Sequence, residues 1–167
     1  MTDNTTSAEV KEMEKTKEYA IVGSKPMAYG LNDANYRVVE IEAGTDRVPG
    51  FAFKDNQCLQ VVILPASIKL IGYGAFRNCT NLREVLVRGK DKNGRLAESY
   101  NPEDDNIEEI GSYAFEGCEN LEAFEPQKVQ KLHPFAFSKT GLRSDDIHLS
   151  EDAEVASFSF GLPWDAA

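Results

Sequence analysis

The sequence predicts a solenoid: short parallel strands stacked along one face, with tight turns or short helical turns on the other. Three observations carry this. The phrase at 68–87, IKLIGYGAFRNCTNLREVLV, returns at 107–124 as IEEIGSYAFEGCENLEAF. A small-residue–aromatic pair recurs at close to one interval along most of the chain. The stretches between those pairs alternate apolar and polar side chains. A unit this short cannot bury its own apolar face, so it must stack on copies of itself.

Taking the second residue of each pair as a marker gives Tyr29, Phe53, Phe76, Phe115, Phe137 and Phe160. The steps are about 23 residues, except the step from Phe76 to Phe115, which reads as one repeat plus an insertion. Ala28, Ala52, Ala75, Ala114, Ala136 and Ser159 precede the markers. Their small size predicts a place where backbones approach closely.

In chain order, residues 1–20 are polar with charges of mixed sign. They read as a tail or cap, with a loose helix that Thr6 or Ser7 would start. The repeat domain is expected over 21–167. Its strands are predicted at 36–41, 59–65, 82–87 and 121–124, with a degenerate one at 147–149, because alternation and β-branched residues favour strand. Pro65 and Pro126 stop two of them. Stretches such as 68–72 read as an extended piece and a glycine turn. The predicted inward set is Leu59, Val62, Leu64, Ile71, Phe76, Leu82, Val85, Val87, Ile110, Phe115, Leu121, Phe124, Leu132 and Phe137. Residues 89–106 form the insertion, a loop by its Gly, Asn and Pro content, with a helical turn at 96–100. At the end, either Phe158, Leu162 and Trp164 fold over as a cap or the array was cut short.

The phrases LPASIKLIGYGAFRNCTNLREV and IEEIGSYAFEGCENLEAF resemble the BspA-type leucine-rich repeats. The resemblance spans about 26–163. It implies a leucine-rich repeat solenoid, of α/β class but mostly β, and a non-catalytic role in binding or adhesion.

The chain has 28 acidic residues against 18 Lys and Arg, a net charge of -10. That argues against nucleic acid and anionic membrane surfaces, which require clustered cations. No apolar run reaches the length of a membrane span. No signal peptide is evident at the start, so the expected location is cytoplasmic if that N-terminus is native, and cell surface or secreted if an export signal was removed. Three cysteines with no Cys-x-x-Cys pair read as reduced thiols.

Candidate chemistry is sparse. Asn56, Cys79, Cys118 and Thr140 occupy one repeat slot, three residues after a marker, and read as structural turn positions that hydrogen-bond a local backbone group. Cys58 lies out of that register. His133 and His148 lack a third orienting group for a Cys–His nucleophile, and the thiols and imidazoles lack zinc spacing. Asp91 to Gly94 only faintly resembles a calcium loop. The acidic run Glu98, Glu103, Asp104, Asp105, Glu108 and Glu109 reads as solvated. No catalytic residue, metal or cofactor is expected. The binding surface is expected on outward strand positions: Val61, Ile63, Glu84, Leu86, Ala123, Glu125 and His148, with Glu40 beside them. Val61, Ile63 and Leu86 would form an exposed apolar patch there unless the insertion or tail covers it. The expected partner is a protein; a cell-surface adhesin or antigen fragment binding host protein or glycan is the alternative. End-to-end self-association is the further expectation, because a stacked array needs capped ends.

Overall fold

A computed structural model describes residues 18–162. Each coil of the chain runs through one strand, a corner, a second strand and a tight turn. The first strands form one parallel sheet, sheet A, in the order β1 (Tyr19–Val22), β2 (Val38–Ile41), β4 (Val61–Leu64), β6 (Glu84–Val87) and β8 (Ala123–Phe124). The second strands form another, sheet B: β3 (Arg47–Val48), β5 (Leu70–Ile71), β7 (Glu109–Ile110), β9 (Val129–Leu132) and β10 (Leu149–Val155). Every pairing in both sheets is parallel. The result is a solenoid of about six coils, mostly β. The extended pieces read at 68–72 and its equivalents are therefore a second ladder.

The strands are short because a coil must close before the next begins, and alternation decides which side chains enter. Val39, Val62, Val85 and Phe124 lie in register across sheet A and are buried between the sheets. Val48, Ile71, Ile110 and Leu132 do the same from sheet B. All of the predicted inward set is buried, in one continuous cluster.

The marker phenylalanines form the spine of that cluster. Phe53 stacks on Phe76 with ring centroids 5.1 Å apart, Phe76 on Phe115 at 5.2 Å, Phe115 on Phe137 at 5.3 Å and Phe137 on Phe160 at 5.7 Å. The long interval between Phe76 and Phe115 does not disturb this spacing, because the insertion leaves the coil between β6 and β7 and returns to the same place.

The small residue before each marker is needed because the turns pack backbone to backbone. Phe53 N donates to Ala75 O at 2.7 Å, Phe76 N to Ala114 O at 2.7 Å, Phe115 N to Ala136 O at 2.8 Å and Phe137 N to Ser159 O at 2.8 Å. A methyl group at Gly72 would stand 2.6 Å from Gly50 N, so that corner also excludes a side chain.

Four expectations need correction. Tyr29 is not a ring of the spine: it is 82% exposed, and Met27, on the single-turn helix α1 (Ser24–Ala28), enters the core instead. The domain begins before residue 21, since Tyr19 and Ala20 pair with Val38 and Val39. The tail helix of residues 1–17 and Trp164 lie outside the described residues. The strand read at 147–149 is absent from sheet A: a 3-10 turn at Ser144–Asp146 precedes it, and its last residue, Leu149, opens β10 of sheet B. In the insertion, the helical turn lies at Pro102–Asp104, capped by the Asn101 side chain, and not at 96–100.

Removing one spine ring should cost far more than removing the exposed aromatic. Phe115→Ala, which opens a cavity between two stacked neighbours, is expected to lower unfolding free energy by about 3–5 kcal/mol. Tyr29→Ala is expected to shift it by no more than about 0.5 kcal/mol. Urea denaturation of the two variants checks both.

Candidate functional site

The outward face of sheet A is where the sequence places the binding patch. Register aligns Val38, Val61, Glu84 and Ala123 in one outward row, and Ile21, Glu40, Ile63 and Leu86 in the other. The patch is not exposed. Val61, Ile63 and Leu86 join Tyr19 and Val38 in a second buried cluster, against which Leu96 of the insertion packs. Glu40 and Glu84 are buried as well. Glu40 accepts a hydrogen bond from the Tyr19 hydroxyl, and its other oxygen lies 2.5 Å from Lys90 Nζ. The insertion therefore contributes both an apolar cover and a counter-ion. The physical reason is the cost of leaving three large aliphatic side chains in water, roughly 1.5–3 kcal/mol each.

The remaining predicted positions scatter. Ala123 is half-buried at the sheet edge. Glu125 is half-buried, ion-paired to Arg88 and accepting from Val87 N at 2.7 Å. His148 is exposed but belongs to no strand of sheet A, so it does not extend the row.

The repeat slot after each marker has a defined geometry. Cys79 Sγ donates to Phe53 O at 3.0 Å, and Cys118 Sγ to Phe76 O at 3.0 Å. Each thiol thus reaches the marker carbonyl of the preceding coil and not a group of its own turn. Asn56 spans coils too: its Nδ2 donates to Leu31 O at 2.6 Å, and its Oδ1 accepts from Leu59 N at 3.0 Å. Thr140 bonds locally, to Phe137 O at 2.9 Å. Burial pushes the Cys79 thiol up to about 12, only partly opposed by a backbone hydrogen bond from Asn56. Burial also holds the Cys118 thiol well above its ordinary value. Neither is a nucleophile at neutral pH. Cys58 is exposed.

Sequence reasoning missed a second aromatic row. Two residues before the marker stand Phe51, Tyr113, Phe135 and Phe158, each with φ between 60 and 63°. In the remaining coil Gly74 takes that left-handed conformation, with φ 57°, and Tyr73 beside it supplies the ring. A methyl group on Gly74 would meet the Phe51 ring at 2.9 Å, so the shift by one residue keeps the row intact. The rings run Phe51–Tyr73–Tyr113–Phe135–Phe158, with centroids 5.2–6.1 Å apart. Arg77 lies 4.9 Å over Tyr113, and Lys54 5.4 Å over Phe51. Unlike the spine, this row faces water: Phe51, Tyr73 and Phe158 are each about half exposed. A bulky side chain at positive φ costs roughly 1–2 kcal/mol, and a ring pair returns about 0.5–1.5 kcal/mol. Its sequence signal was the aromatic before the small residue, in FAF, YAF and FSF.

Residues 95–160 match the sequence profile described as the BspA type leucine rich repeat region (6 copies). That stretch is similar to the BspA-type leucine-rich repeats. Two solved structures share the fold. One is a T. pallidum leucine-rich repeat protein: 22% identity, TM-score 0.53, covering 75% of this chain and 54% of that one. The other is a leucine-rich cell surface protein from Faecalibacterium prausnitzii A2-165: 18% identity, TM-score 0.51, covering 72% and 37%. The chain thus spans about half the length of the first and just over a third of the second. None of the curated proteins compared matches it.

The coils leave few polar groups poised for chemistry among the described residues. His133 contacts Glu109 on the outside of sheet B. Asp91 Oδ1 accepts from Asn93 N at 2.8 Å and Arg95 N at 3.0 Å, which closes the tip of the insertion and holds the carboxyl below its usual range. Buried Asp105 accepts at Oδ2 from Tyr100 Oη at 2.6 Å and Gln127 N at 2.7 Å, pinning the returning arm to the array. Burial and that bond raise the Tyr100 phenol above its ordinary range. Among the described residues, no group of three or more His, Cys, Asp or Glu is arranged to hold a metal ion. No helix among them is long and apolar enough to cross a membrane.

Two predictions follow from burial. Ile63→Asp places a charge in the second cluster and should destabilise the protein by about 3 kcal/mol or more; thermal unfolding reports it, and a variant as stable as wild type would return the strand face to solvent. In native protein at neutral pH a thiol probe should label Cys58 while Cys79 and Cys118 stay unlabelled until denaturant is added. The raised Cys79 pKa also sets a sign. Below pH 9 the thiol is protonated in both folded and unfolded chains. From pH 9 towards 12 the unfolded chain gives up its proton first. Stability should therefore fall with rising pH, by about 1.4 kcal/mol per unit for this group, and Cys79→Ala should flatten that slope.

Proposed function

We propose that this chain is a non-catalytic module that binds a protein partner along the outer aromatic row, Phe51, Tyr73, Tyr113, Phe135 and Phe158. The observation that carries the reading is a continuous line of five rings, of which Phe51, Tyr73 and Phe158 are about half exposed and four stand at residues whose backbone conformation would favour glycine. A local rule broken at the same place in coil after coil points to a function for the side chain. Aromatic rings with neighbouring Arg are what the energetic centres of protein interfaces are enriched in. The strand-face residues Val61, Ile63, Glu84 and Leu86 are closed off, so they support the scaffold and do not line the site; Ala123, Glu125 and His148 are not part of the row. Display on a cell surface, as an adhesin or antigen fragment, is supported by the likeness to the F. prausnitzii cell surface protein.

Glycine replacements separate binding from folding, because glycine accepts φ of 60° without strain. Tyr113→Gly with Phe135→Gly is expected to keep the circular dichroism spectrum of wild type. It should weaken capture of a partner purified on the wild-type chain by about 2 kcal/mol or more. Equal affinity of folded variant and wild type, by calorimetry, would remove the row from the interface.

A further inference from the structure

We propose that the first half of the insertion, the hairpin 89–97, is a lid over a second interaction surface on sheet A, and that this surface takes a partner segment presenting a Lys or Arg beside an aliphatic side chain. This does not depend on the aromatic row binding another protein.

The two arms of the insertion are held differently. The returning arm is pinned to the array. Buried Asp105 bonds Tyr100 and Gln127, Asn106 Nδ2 donates to Ala66 O at 2.8 Å, and Ile107 enters the core. The outgoing arm folds back on itself. Asp91 N donates to Arg95 O at 2.9 Å, Ala97 N to Gly89 O at 2.9 Å, and Lys90 bridges Leu96 in antiparallel fashion. Every residue from 90 to 97 except Leu96 is exposed. The hairpin meets the sheet through the Leu96 side chain, which packs on Val38, Val61, Ile63 and Leu86, and through Lys90 Nζ, 2.5 Å from Glu40. A cleft of about 310 Å³ remains between them, with Ile63 and Pro65 on one wall and Lys90 and Leu96 on the other. A two-stranded hairpin is marginally stable by itself, and segments with few buried apolar contacts are the first to open.

What the hairpin covers defines what can replace it. Lifting it uncovers Val61, Ile63 and Leu86 together with Glu40, whose side chain is only 5% exposed. One Glu40 oxygen keeps the Tyr19 hydroxyl; the other loses its cation. A carboxylate at that depth demands a counter-ion. The hairpin is thus a built-in ligand that supplies an aliphatic side chain and an ammonium from facing positions of a strand pair. A partner that displaces it must bring the same two groups, and the net charge of -10 favours the approach of a basic segment.

The probe that tests this is the hairpin made separately, a cyclic peptide of residues 88–98, RGKDKNGRLAE. The receptor is the full chain with its own lid loosened by Lys90→Ser and Leu96→Ser. If circular dichroism shows that pair of changes to unfold the chain, Lys90→Ser alone takes its place. In calorimetry the peptide is expected to bind the loosened receptor about tenfold or more tighter than wild type, whose tethered hairpin competes for the surface. Adding Glu40→Gln to the receptor should weaken the peptide about fivefold or more. In wild type, the amides of Asp91 and Ala97 should exchange with solvent about tenfold or more faster than that of Gln127, which the pinned arm protects. Equal affinity for loosened and wild-type chains, no binding to the folded receptor at millimolar peptide, indifference to Glu40→Gln, or equal exchange at the three amides each overturns the proposal.

Discussion

The backbone hydrogen bond from each marker amide to the small residue of the next coil is the constraint on which the fold rests. It holds adjacent turns at a distance where only Ala or Ser fits, and so sets the ring spacing of 5.1–5.7 Å in the spine. The ring spacing lies close to the general spacing of hydrogen-bonded strands, about 4.8 Å, so one coil repeat serves both the spine and the sheets. The buried thiols at Cys79 and Cys118 belong to the same device. Each adds a second donor to a marker carbonyl that already accepts the amide three residues on in its own turn, at the slot where Asn56 makes a longer bridge.

Much of this was legible in the sequence because it repeats. Phe76 and Phe115 could be aligned across 39 residues, since the phrases around them match, and they stack at 5.2 Å. The second sheet was harder to read. Its interior strands span two to four residues, too few for alternation to show, and only pairing with neighbours identifies them. Tyr29 misled because the marker pattern holds there in sequence. There the unit closes with a helical turn and seats Met27 in the core.

The surface was the least legible part. Period-two alternation assigns Val61, Ile63 and Leu86 to the outward face, and they do point that way. Alternation carries no information about what lies over a face, and the insertion returns to supply Leu96 and Lys90. Conversely, the row through Phe51 and Phe135 was visible as letters but not as geometry. A positive φ turns those rings out of the core, and nothing in composition distinguishes an aromatic held that way from one packed inside.

Seating a thioether in place of a ring in the coil of Tyr29 makes the core chemically uneven along the stack. Among the described residues the ring spine runs from Phe53 to Phe160, and Met27 takes the core position in the coil before Phe53. In a one-dimensional stack, opening proceeds by losing terminal coils in turn. Amides around β4 to β7 lie furthest from either margin and should be the last to exchange with solvent. Opening that reaches Met27 passes a flexible sulfur side chain, whereas opening that reaches Phe160 and Phe137 passes successive aromatic plates.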